Sequence, residues 1–316
     1  MKNNPFYFTL VSLRVLVIAV VVLCTRGAAG QEKILYGFKD IPDGQYPGYG
    51  RLISDSAGNL YGTTISGGNG SCQGTGCGTV FELSPQSGGG WTETILHSFQ
   101  NNGYDGVNPY FGVAIDITGN LFGTTRYGGD GGCTGEYQPN GCGTIFELSP
   151  QPDGTWKERR LHDFKNGGRD GTYPYAPVIL DSAGNLYGTT LNGGDDECYN
   201  SNGCGIIFEL SQSGIYEVLH WFHGGLDDGV FPLGALTFDS SGNLYGTTEE
   251  GGDGNACDSG CGTVFELSPK PEGGWRRQLL YSFSGIGDVY SPNGDLILDA
   301  AGSLYGTAYL GIQLSR

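Results

Sequence analysis

The sequence predicts an all-β protein, a five-bladed β-propeller whose blades are four-stranded antiparallel sheets. Three observations support this fold class. A unit containing Gly-Asn-Leu-Tyr-Gly-Thr-Thr or a close variant recurs about every 60 residues, a length that suits a four-stranded sheet better than a single hairpin. The chain has 59 glycines and 19 tyrosines but one methionine, which is typical of strands and turns. The glycines follow no Gly-X-Y period, so they do not indicate collagen.

The first two strands of each unit are predicted to form a hairpin. In the first copy, residues 52–55 lead into a turn and residues 60–64 return from it. Asp55 can accept hydrogen bonds from amides two residues on, and Gly58 supplies the positive φ that a tight turn requires. The five copies share this turn glycine, at Gly58, Gly119, Gly184, Gly242 and Gly302.

The third and fourth strands complete the unit. A glycine-rich loop leads to an alternating apolar segment, as at residues 79–83, and this alternation suits a half-buried strand. The fourth strand is a short segment ending in Phe, as at residues 94–99 and 279–283. An Asp-x-x-x-Pro motif precedes each first strand, at Asp43/Pro47, Asp105/Pro109, Asp170/Pro174, Asp228/Pro232 and Asp288/Pro292.

The N-terminal segment predicts how the ring closes. Residues 34–38 have the pattern of a fourth strand, but no unit precedes them. The last unit has two strands, a shortened loop and residues 312–315 in the place of the third strand. Open sheet edges leave backbone groups unpaired, so we expect the N-terminal strand to pair with the last blade and close the propeller. The alternatives are an open β-solenoid and a fragment of a larger propeller.

Residues 1–30 predict a signal peptide. Lys2 precedes an apolar run at residues 15–24, and the small residues at 28–30 suit a cleavage site. The run is shorter than the roughly 20 residues of a membrane span, although an uncleaved anchor is the alternative. We expect export to an extracellular, periplasmic or cell-surface location. The mature chain, residues 31–316, would then be a single domain with no membrane span.

The net charge of −17 at pH 7 limits the classes of partner. A phosphate backbone requires clustered Lys and Arg, and an acidic domain is repelled by it. Nucleic acid is therefore not expected as a partner. We expect an acidic monomer whose charge keeps it soluble.

The cysteines predict disulfide bonds. Eight of the nine lie beyond the signal peptide, two in each of the first four glycine-rich loops. An even number in an exported chain, one pair per repeat, favours disulfides, whose main effect in such short loops would be to fix loop shape. Zinc is the alternative, but the loops lack histidines and the pairs lie on different blades. The predicted pairs are Cys72/Cys77, Cys133/Cys142, Cys198/Cys204 and Cys257/Cys261.

The Asp-x-x-x-Pro segments and the cysteine loops are expected to emerge on one face, which is the candidate binding surface. His97, His162 and His220 hold one repeat position, where the other copies have Tyr281 and Tyr36. A catalytic histidine needs a specific partner, and we find no partner that recurs in the sequence. We therefore interpret these histidines as packing residues of the outer strand.

Residues that depart from the repeat are the candidate binding residues. Trp221 replaces a smaller residue of the other copies, and an exposed indole could stack on a sugar. Glu249 falls where repeat 2 has Arg126, which is followed by Tyr127, and Asp295 is an acid where other copies have none. Glu249 and Asp295 belong to neighbouring units and could meet at the channel mouth, and glycoside hydrolysis uses two carboxylates. Packing or solvated side chains are the alternative.

Two acidic cysteine loops offer oxygen ligands for Ca²⁺. They contain Asp195-Asp196-Glu197 and residues 253–258. Neither has the EF-hand spacing or the calcium-binding nonapeptide, so solvated loops are the simpler interpretation and no cofactor is expected. The sequence has no phosphate-binding loop, dinucleotide motif or Ser-His-Asp arrangement.

The repeat GNLYGTT-x-x-GG followed by GTVFELSP resembles the GloVer tandem-repeat family of exported bacterial proteins, over nearly all of the mature chain. The resemblance implies an extracellular repeat protein and supplies no catalytic residue. The last residues, 313–316, depart from the family's pattern because they form no sorting signal.

We therefore predict a binding or interaction scaffold for an extracellular glycan or protein partner, presented by loops on one face, and not an enzyme. The alternative is a glycoside hydrolase or lyase that uses carboxylates at the channel mouth. A third hypothesis is a purely structural role.

Overall fold

Each of the first four copies of the repeat contains an antiparallel sheet of at least four strands, and no helix occurs in the part of the chain that the structure describes. The structure, a computed structural model, describes residues 33–39, 41–134, 140–167, 169–194, 198, 202–254, 256–285 and 287–310. We define five repeats that each begin at the aspartate of an Asp-x-x-x-Pro motif, namely residues 43–104, 105–169, 170–227, 228–287 and 288–310.

The strands follow the repeats in order. Repeat 1 contains β1 (Gly44–Pro47), β2 (Ile53–Ser54), β3 (Leu60–Gly67), β4 (Thr79–Pro85) and β5 (Trp91–Ser98). Repeat 2 contains β6 (Gly106–Val107), β7 (Ala114–Ile115), β8 (Leu121–Thr125), β9 (Tyr127–Gly128), β10 (Thr144–Pro150) and β11 (Trp156–Asp163). Repeat 3 contains β12 (Gly171–Pro174), β13 (Ile179–Leu180), β14 (Leu186–Gly193), β15 (Ile206–Leu210) and β16 (Tyr216–Trp221). Repeat 4 contains β17 (Gly229–Val230), β18 (Thr237–Phe238), β19 (Leu244–Thr248), β20 (Glu250–Gly251), β21 (Thr263–Pro269) and β22 (Trp275–Ser282). Repeat 5 contains β23 (Tyr290–Pro292), β24 (Ile297–Leu298), β25 (Leu304–Tyr305) and β26 (Ala308–Leu310).

The first four repeats share one strand order, which confirms the predicted sequence of four strands. In repeat 2, for example, the order across the sheet is β7-β8-β10-β11. The glycine in the middle of each second strand makes this packing possible. A Cβ on Gly123 would lie 2.5 Å from the ring of Phe146 on the neighbouring strand, so only glycine leaves space for that buried ring. The protein is therefore an all-β, propeller-like array of antiparallel sheets.

The hairpin between the first and second strands forms as predicted. Asp55 Oδ1 accepts hydrogen bonds from the amides of Ala57 and Asn59, each at 2.9 Å, and Asp55 Oδ2 accepts one from the Tyr61 hydroxyl at 3.0 Å. Gly58 has φ of 85°. Burial would raise the pKa of Asp55, but the hydrogen bonds from Asn59, Tyr61 and Ala57 outweigh it and lower that pKa, so the turn stabilises the carboxylate.

The hydrophobic core lies between neighbouring sheets. The Phe that ends a fourth strand packs edge-on against the Phe of the next repeat's third strand, as Phe99 does against Phe146 with ring centroids 5.2 Å apart. The same contact joins repeats 2 and 3 and repeats 3 and 4. Phe38, which precedes repeat 1, packs in this way against Phe81 at 5.0 Å. Such aromatic pairs contribute about 0.5–1.5 kcal/mol each beyond their burial.

The interpretation of the histidines needs a correction, because each has a recurring partner. His97, His162 and His220 lie 3.3 Å from the aspartates that begin the following repeats, Asp105, Asp170 and Asp228. The partner is eight residues further along the chain and becomes adjacent only because the strand ends in a tight turn. These pairs connect one repeat to the next, which agrees with a packing role.

All four predicted disulfides are present, with Cα atoms 5.1 to 5.5 Å apart. They are Cys72–Cys77, Cys133–Cys142, Cys198–Cys204 and Cys257–Cys261. The cysteine loops also connect neighbouring repeats. The carbonyl of Cys77 accepts a hydrogen bond from the amide of Asn108 at 2.9 Å, and Cys142 and Tyr173 form the equivalent bond at 2.8 Å. Asn108 and Tyr173 precede the motif prolines and have φ of 56° and 57°. Because left-handed conformations cost energy in such residues, this cross-repeat bond is a compensating contact.

The cysteine loops are predicted to lie on the binding surface, and the structure limits this prediction to part of each loop. The second cysteine of each pair is 0% exposed, namely Cys77, Cys142, Cys204 and Cys261. The reason is that this cysteine lies just before the third strand and contacts the following repeat. The carbonyl of Cys204 accepts from the Phe231 amide at 3.0 Å, and that of Cys261 from the Ser291 amide at 2.9 Å. These four cysteines are therefore core residues that no ligand can reach, and only the outer part of each loop belongs to the surface.

The ends of the chain differ from the expectation. Residues 34–38 carry no strand assignment, and the predicted third strand of repeat 5, residues 312–315, lies outside the described residues. A fourth strand pairs with a third strand, so the described residues contain no segment of repeat 5 that could receive one. Residues 38–316 form one compact unit and residues 1–37 another; the predicted signal peptide also lies outside the described residues. The described part of the chain includes no helix that could cross a membrane.

Candidate functional site

The segments that enter the first strands surround a cavity of about 550 Å³. Every repeat contributes to its lining, through Tyr49, Phe111, Tyr175, Leu233 and Asp295 among others. We call this space the mouth cavity. It lies where the sequence analysis expected a binding surface, at the residues that follow the Asp-x-x-x-Pro motifs.

Backbone contacts between neighbouring repeats hold the lining in place. The amide of Tyr49 donates to the carbonyl of Tyr110 at 3.0 Å. A Cβ on Gly50 would overlap the backbone of Gly112, and one on Gly234 would lie 2.6 Å from the carbonyl oxygen of Gly294. Glycine at these positions therefore allows the entry segments to approach closely.

Aromatic rings from repeats 1 to 3 form one wall of the mouth cavity. Tyr49 stacks on Tyr110 with ring centroids 6.4 Å apart, and Phe111 meets Tyr175 edge-on at 5.1 Å. The guanidinium of Arg126 lies 5.1 Å from the Tyr110 ring and 5.0 Å from the Tyr175 ring. Cation–π contacts of this kind fix the orientation of the rings. We call the three rings that line the cavity, Tyr49, Phe111 and Tyr175, the aromatic wall; Tyr110 contacts the wall without lining the cavity.

Carboxylates from repeats 4 and 5 line the same cavity. Burial raises the pKa of Glu249, and the nearby charge of Glu250 raises it further. Asp295 has a different environment: its Oδ1 accepts a hydrogen bond from the Ala235 amide at 2.8 Å, and its Oδ2 lies 3.8 Å from the Arg51 guanidinium. Desolvation thus favours the protonated form of Glu249. Asp295, in contrast, accepts a hydrogen bond from an amide and faces a cation.

The structure places Glu249 and Asp295 on this cavity together but positions the other candidate residues differently. Arg126 contacts the Tyr110 and Tyr175 rings but does not line the mouth cavity. Tyr127 is 6% exposed within the hydrophobic core, so its ring is not available to a ligand. Trp221 does not line the mouth cavity. Its indole nitrogen donates to the carbonyl of Arg169 at 2.9 Å, and the Arg169 guanidinium lies 5.5 Å from its ring.

Sequence reasoning missed the aromatic wall and Arg51. A signal was present, because the position four residues before each first strand is Tyr49, Tyr110 and Tyr175 in repeats 1 to 3 but Leu233 and Asn293 in repeats 4 and 5. Comparing the repeats at this position would have found Tyr49 and Tyr175 of the wall and Tyr110 beside them, but not Phe111. The proximity of these tyrosines to Glu249 could not be found in this way, since it depends on how the repeats are arranged in space.

No group of three or more His, Cys, Asp or Glu side chains that could hold a metal ion occurs within the described residues. Of the two acidic loops considered for Ca²⁺, Asp195-Asp196-Glu197 lies outside those residues. In the other loop, the amide of Asp253 donates to the Ser282 hydroxyl at 2.8 Å. The eight paired cysteines are disulfide-bonded and so offer no thiolates to zinc.

Comparison with solved structures finds similar chains of low identity. A protein assigned as a gluconolactonase is 14% identical, with 89% of this chain and 76% of that chain covered and a TM-score of 0.47. A luciferin-regenerating enzyme is 13% identical, with 85% and 71% covered and a TM-score of 0.45. A β-xylosidase is 11% identical, with 84% and 96% covered and a TM-score of 0.41. Similarities of this size support no statement about function.

Among curated proteins no relative matches this sequence. The repeat pattern itself identifies the chain, since residues 76–315 match the Gloeobacter/Verrucomicrobia repeat. This match spans most of the sequence, including four of the five Gly-Asn-Leu-Tyr motifs or their variants. The chain therefore belongs to the Gloeobacter/Verrucomicrobia repeat family.

Proposed function

We propose that this protein is an exported binding module that holds a glycan in the mouth cavity. The observation that carries the proposal is the arrangement of the cavity lining: the aromatic wall stands on one part of it, and Glu249, Asp295 and Arg51 stand on another. Ligand sites typically combine aromatic surface with a few polar groups that fix orientation. Sugars match this chemistry because their C–H faces stack on rings while their hydroxyls donate to carboxylates.

The proposal includes a specific architecture, a five-bladed ring closed by the N-terminal strand. Three observations support it. The lining of the mouth cavity comes from all five repeats, and the Arg51–Asp295 ion pair joins the first repeat to the last. The Phe38–Phe81 contact reproduces the contact between consecutive repeats, as expected if residues 34–38 supply the fourth strand of the last blade.

The proposed location is outside the cytoplasm. Four disulfides in one chain favour an oxidising compartment, because thiols in the cytosol are kept reduced. The apolar run near the N-terminus would supply the export signal. An extracellular polysaccharide would be accessible to a protein in such a location, and the acidic surface argues against nucleic acid.

A glycan array tests the binding proposal. The full chain, purified with its disulfides intact, is expected to bind a subset of neutral polysaccharides. Tyr175→Ala and Tyr49→Ala should each weaken this binding by about tenfold, since one stacking ring contributes roughly 1–2 kcal/mol. Tyr104→Ala is the matched control, because Tyr104 is about as exposed as Tyr49 (73% and 77%) and does not line the mouth cavity. Binding that survives both wall substitutions would contradict the proposal.

A second candidate function is glycoside hydrolysis or lyase chemistry at the same cavity. It is favoured by the contrast between the two carboxylates: burial raises the pKa of Glu249, whereas Asp295 faces the Ala235 amide and Arg51. Acid–base pairs in glycosidases differ in environment in this way. Glu249 would protonate the leaving oxygen, and Asp295 would act as nucleophile or base.

A reducing-sugar assay on the polysaccharides that bind separates the two functions. Turnover that falls by about 100-fold or more in both Glu249→Gln and Asp295→Asn would identify an enzyme. Binding without turnover would identify a binding module. Glu272→Gln serves as the control, because Glu272 is an exposed carboxylate outside the mouth cavity.

A further inference from the structure

A second cavity, of about 290 Å³, lies between repeats 2 and 3 at the end of the sheets that carries the first hairpins. Its apolar surface comes from Phe122, Leu161, Leu180 and Leu210. Its edge carries Glu147, Arg159 and Gln212, among others. We call it the inter-repeat pocket. None of the residues that line it also lines the mouth cavity.

Tryptophan fills the equivalent position between repeats 1 and 2 and between repeats 3 and 4. Between repeats 1 and 2, Trp156 packs edge-on against Tyr61 with ring centroids 6.2 Å apart. Between repeats 3 and 4, Trp275 packs against Tyr187, also at 6.2 Å. In both cases a ring from the fourth strand of one repeat covers the second strand of the repeat before it.

The tryptophan is missing between repeats 2 and 3 because one hairpin is shorter. In repeats 2 and 4 the pairing of third and fourth strands continues to Pro150↔Trp156 and Pro269↔Trp275. In repeat 3 it ends two pairs earlier, at Leu210↔Tyr216. The chain turns back before it reaches the position of the tryptophan.

Two substitutions, relative to the interface between repeats 3 and 4, enlarge the same space. Phe122 of repeat 2 takes the place of Tyr61 and Tyr187, whose hydroxyls donate to the hairpin aspartates at 3.0 and 3.2 Å. Leu180 takes the place of Phe238, which packs against Tyr187 at 5.1 Å in the next interface. The shorter hairpin and these two changes leave a pocket with leucine and phenylalanine side chains and a polar edge, where the interfaces between repeats 1 and 2 and between repeats 3 and 4 have a tryptophan ring.

The charges around the pocket are already paired within the protein. Arg159 Nε donates to Glu147 Oε2 at 2.9 Å, and Arg160 Nε lies 3.0 Å from Asp163 Oδ1. Asp116 accepts hydrogen bonds from Asn120 and Thr118. A ligand that adds no charge therefore suits the pocket, since a charged one would lose hydration without a free partner.

We propose that the inter-repeat pocket binds a neutral planar aromatic ring of about the size of an indole, in the position that Trp156 and Trp275 occupy elsewhere. The pocket volume, about 290 Å³, lies just below the range for small-ligand sites, which is about 300–1,000 Å³, and suits one ring system. The ring can belong to a free small molecule or to an aromatic side chain of a bound peptide. Both sources share this chemistry.

Isothermal titration of the full chain with indole tests the proposal. One saturable site is expected. Leu180→Phe, which copies Phe238, and Leu180→Trp should each weaken binding by about tenfold or more, because they fill the pocket. Ile115→Phe is the matched control, since Ile115 is the equivalent residue between repeats 1 and 2, where Trp156 is present. Tyr175→Ala separates this site from the mouth cavity and should leave indole binding unchanged.

Competition with N-acetyltryptophanamide distinguishes the two sources of the ring. Displacement of indole would show that the pocket accepts a ring carried on a peptide; no displacement would restrict it to free molecules. The proposal is overturned if indole shows no saturable binding to the unmodified chain. It is also overturned if folded Leu180→Phe binds as tightly as the unmodified chain, or if Ile115→Phe loses binding equally.

Discussion

The aspartates that begin the repeats occupy equivalent positions but have different neighbours. Asp105 faces His97 and the carboxyl of Glu158, Asp170 faces His162 and the hydroxyl of Tyr216, and Asp228 faces His220 and the guanidinium of Arg277. The local turn around each aspartate is the same. The residue contributed by the next fourth strand determines whether the site is acidic, neutral or basic.

Asp228 has both a histidine and an arginine partner. We predict that Asp228→Asn is strongly destabilising. Burial alone would raise its pKa, but the hydrogen bond and charge of His220, the charge of Arg277 and the His223 amide lower it. Replacing one member of such a buried pair typically lowers the free energy of unfolding by about 3–5 kcal/mol. Urea denaturation at pH 7 measures the change, and Asp288→Asn, at a partly exposed aspartate whose partner is Tyr281, should cost less than about 1 kcal/mol.

The sign of the pH dependence follows from the lowered pKa of Asp228. The carboxylate's contribution is present above the pKa of an unfolded aspartate, about 4, and is lost as the pH falls through the lower folded value. The difference in stability between the native chain and Asp228→Asn should therefore shrink below pH 4. A difference that stays constant into that range would contradict the assignment.

The pKa of Glu93 is shifted in the opposite direction to that of Asp228. Burial, followed by the charge of Asp43, raises its pKa to about 7, and its Oε1 is buried without a hydrogen-bond partner among the described residues. A raised folded pKa means that Glu93 favours the folded state at low pH and that this contribution is lost as the pH rises from about 4.5 to 7. We predict that Glu93→Gln removes this loss, so the variant becomes more stable than the native chain at pH 8 by about 1 kcal/mol after solvent screening.

Chemical denaturation at pH 5 and pH 8 measures the Glu93 effect. Glu272→Gln, at an exposed position, should change neither value. Equal stability of Glu93→Gln and the native chain at both pH values would show that the Glu93 carboxyl does not experience the predicted desolvation.

At the scale of elements, the loop between the second and third strands connects each repeat to the next. The glycine before each third strand contacts the motif proline of the following repeat. A Cβ on Gly143, for example, would lie 2.6 Å from Pro174 Cδ and 2.5 Å from the Thr125 carbonyl oxygen. Gly143 has φ of 100°, so both its conformation and its surroundings require glycine.

Comparing two glycines separates conformational strain from steric overlap. Gly154 has φ of 83° but no atom within 4 Å of a Cβ position, so Gly154→Ala should cost only the left-handed conformation, about 1–2 kcal/mol. Gly143→Ala adds overlap with the next repeat and should cost at least about 2 kcal/mol more. Urea denaturation of both variants measures this difference. An equal loss of stability in the two variants would show that the next repeat accommodates the added methyl group of Gly143→Ala without an energetic cost.

The sequence predicted the strands, the first hairpin and the disulfides correctly because each depends on residues that are close together in the chain. Strand order, the Asp-x-x-Gly-Asn turn and the four disulfides depend on residues close together in the chain, such as Asp55 with Asn59 or Cys72 with Cys77. The partner of His97 was missed because it lies in a turn whose shape, and not its pattern, brings Asp105 to the ring. The boundary of the fourth strand also moved, to Trp91–Ser98, since pairing with the third strand extends it.

The complete burial of the second cysteine in each pair was missed for a different reason. The pairing of Cys204 with Cys198 and of Cys261 with Cys257 follows from short spacing. Their complete burial depends on the next repeat, whose entry segment lies against the cysteine backbone through the Phe231 and Ser291 amides. A local pattern therefore predicts the bond but not the side of the loop that faces the core.

At the scale of the whole molecule, the proposed ring depends on pairing between residues 34–38 and repeat 5. Phe38 occupies the position against Phe81 that Phe99 occupies against Phe146, and Arg51 reaches Asp295. If residues 34–38 pair with repeat 5, their amides should exchange with solvent slowly. Without this pairing, the outer part of repeat 5 would be an open edge.

Hydrogen exchange tests closure directly. In a closed ring, amides of residues 34–37 should exchange within about tenfold of those of residues 95–98, which are paired in β5. Exchange as fast as in the exposed turn at residues 87–90 would contradict closure. Phe38→Ala provides a second measurement. This variant removes the aromatic contact with Phe81 but keeps the backbone groups of residues 34–37, whose amides should then exchange faster.

The sequence by itself determined the repeat pattern, the order of strands within the first four repeats and the cysteine pairs, because backbone pairing and short-loop disulfides follow from nearby residues. Only the tertiary structure decided which side chains meet between repeats. It brought Glu249 and Asp295 to a cavity beside Tyr175, placed Trp221 elsewhere, and left a pocket where the shorter hairpin of repeat 3 lacks a tryptophan. Such contacts join residues more than 40 positions apart, and their geometry depends on how successive sheets pack, which no local pattern specifies.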